Sequence, residues 1–150
     1  MLSMRHLNLV FIIDRKTKKI KWSNTGPYIR QHDPDFTDEG KIIVFDNRTD
    51  DAGGKILGGS RILELDPSSR EFNIAYEGDE TNPFYTTLAG KQQMLPNGNI
   101  LIAHYEGGRV FEVDKNGDIV WTFITSYDDD EVYSVSDAMR IPKSYLTFIN

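Results

Sequence analysis

Two histidines, an arginine and an asparagine are the residues of this chain whose types and placement could do chemistry: His32, His104, Arg48 and Asn47. A neutral imidazole nitrogen is a nucleophile, and the planar fork of an arginine suits the oxygens of a tetrahedral anion. His32 lies in Gln31-His32-Asp33, just ahead of the apolar run Ile42-Ile43-Val44-Phe45. His104 closes a second run, Ile100-Leu101-Ile102-Ala103. Counted from Gly40 and Gly98, which open matching turns, His104 takes the place that Asp46 takes in the first run. The two residues are therefore expected at the same end of neighbouring strands. Asn47 and Arg48 follow Asp46 directly. Each has a plainer reading beside the chemical one. Either histidine could be a hydrogen-bonded loop or strand-end residue, turn chemistry explains Asn47, and Arg48 could be a solvated loop arginine.

The elements that must position these residues repeat. Three hairpins share one pattern, and each first strand ends on an aspartate: Asn8 to Asp14, Ser60 to Asp66, and Gly108 to Asp114. Those aspartates, at 14, 66 and 114, are 52 and 48 residues apart. That spacing fits the roughly 40–50 residue period of propeller blades. Alternation at Ile62 and Glu64, and at Val110 and Glu112, is the two-residue period of a strand. Aspartate opens each turn because its carboxylate can accept backbone N–H groups two residues on. Asn116-Gly117 supplies the positive φ of a tight hairpin. The runs at 42–45 and 100–103 are apolar on both faces and predict buried inner strands.

The fold class expected is therefore all-β: a single partial β-propeller domain of about two and a half to three four-stranded antiparallel blades. Residues 8–24 form a blade remnant, 30–77 and 88–124 form blades, and 126–150 form a tail. Within the tail, Glu131 to Val135 is expected to make a short strand. No stretch of a dozen residues carries a capped 3.6-residue period, so helices are not expected. Blades bury their edges and faces by closing a ring. Two and a half cannot close, which predicts a piece of a longer protein, a truncated reading frame or one part of an oligomeric ring.

Composition narrows the classes. The chain has 150 residues, a net charge of −6 and no cysteine. That balance argues against nucleic-acid and membrane-surface partners, and it removes disulfides and thiolate metal sites. No export signal is visible at the start, whose apolar run recurs later as a repeat element. Asp128 to Glu131 lacks the ligand spacing of a calcium loop and reads as a solvated turn. Arg61 and Arg109 recur in the hairpins, as Trp22 and Trp121 do, which suits structural roles. His6 lies outside the repeats and reads as a surface residue.

Two segments carry a resemblance. One is Gln31-His32-Asp33-Pro34-Asp35-Phe36 with Gly40 to Asn47 and then Ser60-Arg61. The other is Leu95-Pro96-Asn97-Gly98-Asn99 with Gly108 to Asp114 and Ile119-Val120-Trp121. Over roughly residues 8 to 146 the chain resembles the C-terminal half of the arylsulfotransferase family, six-bladed propellers that move a sulfuryl group between phenols. The resemblance implies an aryl sulfate donor, a phenolic acceptor, a histidine intermediate and no metal or other cofactor. It makes His32 a sulfate-binding histidine and Arg48 and Asn47 substrate-binding residues; His104, by its place equivalent to Asp46 rather than by a family motif, is the candidate nucleophile. It also implies export, to the periplasm or outside the cell, for a full-length form. Half a ring predicts weak or no activity alone. The competing expectation is a non-catalytic repeat that binds or self-associates through open blade edges.

Overall fold

The computed structural model describes residues 1–149. Eleven strands form three antiparallel sheets of three, four and four strands. The first sheet holds β1 (Leu2–Met4), β2 (Leu9–Ile13) and β3 (Ile20–Thr25). The second runs in order through β4 (His32–Phe36), β5 (Ile42–Asp46), β6 (Arg61–Leu65) and β7 (Phe72–Glu77). The third runs through β8 (Lys91–Met94), β9 (Ile100–His104), β10 (Arg109–Val113) and β11 (Ile119–Ile124). The all-β expectation holds, and the sheets stack as partial blades. The remnant at 8–24 gains an inner partner, because Leu2 to Met4 pair with Leu9 to Phe11.

The three aspartates close their hairpins in one way. The Asp14 carboxylate accepts N–H bonds from Lys16 and Thr17 at 3.0 and 2.7 Å. Asp66 accepts from Ser68 and Ser69, and Asp114 from Asn116 and Asp118. These bonds favour the ionised form and hold all three carboxyls below the usual range.

Stacking explains the continuous apolar runs. Ile42, Val44, Leu63 and Leu65 pack toward the first sheet, against Val10, Ile12, Trp22 and Tyr28. Ile43, Phe45 and Ile62 turn the other way, against Ile100, Ile102, Phe111 and Val113 of the third. A strand clamped between two sheets needs apolar residues on both faces. Phe84, from the connector between the second and third sheets, fills the middle of that second layer.

The tail does not form the expected strand. Only one bridge joins Ser126 to Val132. The Asp128 carboxylate caps a turn at Asp130 and Glu131 instead, and the chain then crosses the outer face of the third sheet. There Val135 and Ala138 cover Leu95, Leu101 and Val110.

Candidate functional site

The register brings the predicted residues to one end of the sheets. His32 opens β4 opposite Phe45, Asp46 closes β5, and His104 closes β9 opposite Arg109. The connectors 26–31 and 78–90 pass this end, and side chains from all three sheets reach toward the second of them.

Asn47 is fully buried and makes three side-chain hydrogen bonds. Its Nδ2 donates to the carbonyls of Thr86 and Ala89, at 3.0 and 2.8 Å. Carbonyls only accept, so the amide orientation is determined, and Oδ1 must face His32. His32 Nδ1 lies 2.7 Å from that oxygen. An amide oxygen also only accepts, so Nδ1 carries the proton. In the neutral ring, Nε2 then holds the free lone pair, and it makes no hydrogen bond among the described residues. A neutral imidazole held in this way has one unprotonated nitrogen, the form of the ring that can act as a nucleophile.

His104 is placed differently. It is 6% exposed, and both ring nitrogens are engaged. Nε2 is 2.8 Å from the Tyr85 carbonyl and therefore donates to it. Nδ1 accepts from Arg109 Nε at 3.3 Å. Burial pushes its pKa below the usual histidine range, with the Tyr85 carbonyl acting against that push. Phe84 packs edge-on against the ring, and Gly107 passes so close that any Cβ there would strike it.

Asp46 performs the matching job one sheet back. Its carboxylate accepts the Ile29 N–H at 2.7 Å and Arg61 Nε at 2.8 Å. Arg61 also donates to the Pro27 carbonyl, as Arg109 does to that of Pro83. Burial raises the Asp46 pKa, and those partners oppose the rise.

Three side chains that sequence reasoning did not single out, those of Arg5, Thr49 and Glu106, join the site. Arg5, in the turn after β1, donates from Nη2 to the Thr87 carbonyl at 2.7 Å. Its Nε is buried without a partner, and its Nη1 makes no hydrogen bond among the described residues. Thr49 Oγ1 donates to the same carbonyl, and Glu106 accepts from the Thr87 N–H and hydroxyl. Pairing of β1 with β2 makes Arg5 the register equivalent of Asn47, a signal hidden because β1 was not foreseen. Arg48 has a positive φ of 47°, and its N–H donates to the Ile29 carbonyl. Its guanidinium makes no hydrogen bond among the described residues and lies beside Gly58.

Residues 1–126 match the sequence family described as Arylsulfotransferase (ASST). The chain belongs to the arylsulfotransferase family. No protein of curated function matches it. A solved structure of a protein of unknown function from Bacteroides caccae is similar at 19% identity over 79% of this chain, with a TM-score of 0.38. This arylsulfotransferase-family chain covers 55% of that structure's length.

A cleft of about 470 Å³ lies at the opposite end of β4 and β8, lined by Phe36, Met94, Pro96 and Ile141. It contains no histidine, and its Arg140 is already paired with Glu112. That cleft therefore holds no nucleophile of the kind gathered at the histidine end. Among the described residues, no three His, Cys, Asp or Glu side chains gather as a metal site would require.

Proposed function

We propose that this chain carries the nucleophile of an arylsulfotransferase, and that the nucleophile is His32. What supports the reading is the Asn47 amide, tied to two carbonyls, which leaves His32 Nε2 as the unprotonated nitrogen. In the first step Nε2 attacks the sulfur of an aryl sulfate. An N–S bond forms, the S–O bond to the ring breaks, and the phenolate leaves with the electron pair. The Nδ1–H bond to Asn47 stabilises the cationic ring that results. In the second step a phenol oxygen attacks the sulfur, the N–S bond breaks and returns its electron pair to Nε2, and the phenol's proton passes to solvent water. Arg5 and Arg48 supply free N–H groups to the sulfate oxygens.

This reading exchanges the roles expected from the sequence. His32 becomes the nucleophile. His104 becomes the clamp that positions the connector, because both its nitrogens are engaged. Asn47 orients His32 rather than binding substrate.

The test is to incubate the chain with p-nitrophenyl sulfate, without acceptor, and map the sulfuryl label by mass spectrometry. A label on His32, lost in His32→Ala and kept in His104→Gln, is expected. A label on His104 reverses the assignment, and no label on either histidine sinks the reading.

A further inference from the structure

β4 carries one residue more than its partner strand. Asp35 and Phe36 lie opposite Ile43 and Ile42, but His32 lies opposite Phe45, so Asp33 and Pro34 together face Val44 alone. This is a β-bulge, and it shifts the upstream part of the strand by one place. The matching strand of the third sheet has none, since Lys91 to Met94 pair one for one with Ala103 to Ile100. Of these two strands, only the one that carries a histidine is bulged.

The shift decides which way His32 faces. Side chains alternate along a strand, so Phe45 and Asn47 fall on one face of the second sheet and Asp46 on the other. Counted regularly from Asp35, β4 would set Asp33 opposite Phe45 and His32 opposite Asp46, whose carboxylate serves Ile29 and Arg61. His32 would then face away from Asn47. With the bulge it falls on the Asn47 side, 2.7 Å from the amide oxygen.

This bulge is not relaxed backbone. Asp33 has a positive φ of 46°, uncommon for any residue but glycine, and Pro34 favours extended backbone at the residue before it. Gln92, in the edge strand β8, holds Asp33 there from the neighbouring sheet. Its N–H donates to the Asp33 carboxylate at 3.0 Å, and its side-chain amide donates to the Asp33 carbonyl. Gln92 is 3% exposed, and its amide oxygen has no partner among the described residues. A buried glutamine left half satisfied is costly, and the one group its side chain serves is Asp33.

We infer that Asp33 and Gln92 are positioning residues: together they hold the bulge that turns the His32 ring to Asn47, and so fix which ring nitrogen is unprotonated. The inference rests on the reading of His32 as sulfuryl acceptor for its effect on rate, whereas the tautomer is read without substrate.

The experiment uses the full chain with ¹⁵N-labelled histidine. Two-bond ¹H–¹⁵N spectra at about pH 8, where imidazoles are neutral, report the tautomer of each ring. The native chain is expected to carry the His32 proton on Nδ1 and the His104 proton on Nε2. Asp33→Val removes the carboxylate and, being β-branched, disfavours the positive φ. It should release the His32 proton to Nε2 and leave His104 as it was. Gln92→Leu, which keeps the backbone donor, should shift His32 in part, and it serves where Asp33→Val folds poorly. Asp33→Asn keeps an acceptor and tolerates a positive φ, so it should restore the native tautomer. Gln93→Leu, one place along β8, should not alter it. A merely structural role would lower stability without moving the proton.

Labelling of His32 by p-nitrophenyl sulfate is then timed on the same proteins. Asp33→Val is expected to slow it about a hundredfold, the scale of an ångström of misplacement. A native tautomer in both Asp33→Val and Gln92→Leu overturns the inference, and so does labelling at the native rate once the tautomer has moved. A tautomer that moves as expected, in a chain whose native form takes no label, sinks the nucleophile and leaves the positioning pair standing.

Discussion

His104 and Asp46 show how one structural task is met with opposite polarity. Each closes the second strand of its sheet, each is gripped by the arginine that opens the third, and each holds the incoming connector. Asp46 meets an N–H, so it must accept; His104 meets a carbonyl, so it must donate. The equivalence of the two positions was legible from the Gly40 and Gly98 spacing. The direction of the bond was not, because it depends on which peptide group of a distant connector faces the side chain. Burial makes the neutral form of His104 the folded form. A histidine whose pKa is depressed on folding is protonated more readily in the unfolded chain, so acid favours unfolding. Its contribution is therefore complete above about pH 6.5 and is lost as pH falls below that value toward the lower folded pKa. His104→Gln keeps a donor for Tyr85 but cannot titrate. We expect the urea midpoint of the native chain to fall between pH 7 and 5 by more than that of the variant. The raised pKa of Asp46 works in the opposite direction and is common to both chains, so it cancels in the difference. Equal slopes would mean that His104 is not held neutral.

At the scale of elements, the apolar strands were readable and the polar ones were not. β5 and β9 announce themselves as runs buried on both faces. β4 is His-Asp-Pro-Asp-Phe and β8 is Lys-Gln-Gln-Met, with no alternation to mark them. They are strands because a neighbouring sheet edge pairs with them, and because the β8 Gln92 backbone and side chain bond to Asp33. Such long-range pairing outweighs weak local preference. The long connector from Asn47 to Gly59 between β5 and β6 has an order whose cause composition hides. The Asp50 carboxylate accepts the N–H groups of Ala52, Gly54, Ile56 and Leu57, at 2.9 to 3.0 Å. Those bonds, that of Leu57 foremost, hold its pKa well below the usual carboxylate range. A depressed carboxyl pKa means the loop stays organised as pH falls, until the folded pKa is reached. In Asp50→Ala we expect amide hydrogen exchange to accelerate at least tenfold at residues 52, 54, 56 and 57, with the β5 amides unchanged. Protection in the native chain should persist at pH 4. Unaltered exchange in the variant would show that the glycine-rich backbone orders itself.

Across the whole molecule one rule of orientation repeats. Third-strand residues Leu63 and Leu65, like Phe111 and Val113, face the preceding sheet, while Val10 and Ile62 face the following one. The period of 52 and 48 residues made this stack legible, since it fixes which residues are equivalent. What it could not reveal is what happens at Val110, the next equivalent of Val10 and Ile62. Among the described residues no further sheet lies there, and the tail covers Val110 instead. Its grip is a set of small ties. Val135 N–H donates to the Tyr105 carbonyl at 3.2 Å, Lys91 pairs with Asp137 at 3.2 Å, and Gln93 bonds both backbone groups of Arg140. Arg140 in turn pairs with the Glu112 carboxylate and lies over the Trp121 ring. Surface ties of this kind are individually weak, so the apolar contact of Val135 and Ala138 should decide whether the tail stays down. A charge placed under the tail would have to be buried without a partner or carry the segment into water. Val135→Asp is therefore expected to free residues 126–142 and lower stability by about 1–3 kcal/mol. Trypsin should then cut after Arg140 and Lys143 much faster than in the native chain, and an apolar dye should bind the uncovered Leu101 and Val110. None of the groups around His32 belongs to the tail, so sulfuryl labelling should continue at the native rate. If cleavage is no faster, the polar ties alone hold the tail; if labelling also stops, the tail supports the histidine end through the third sheet.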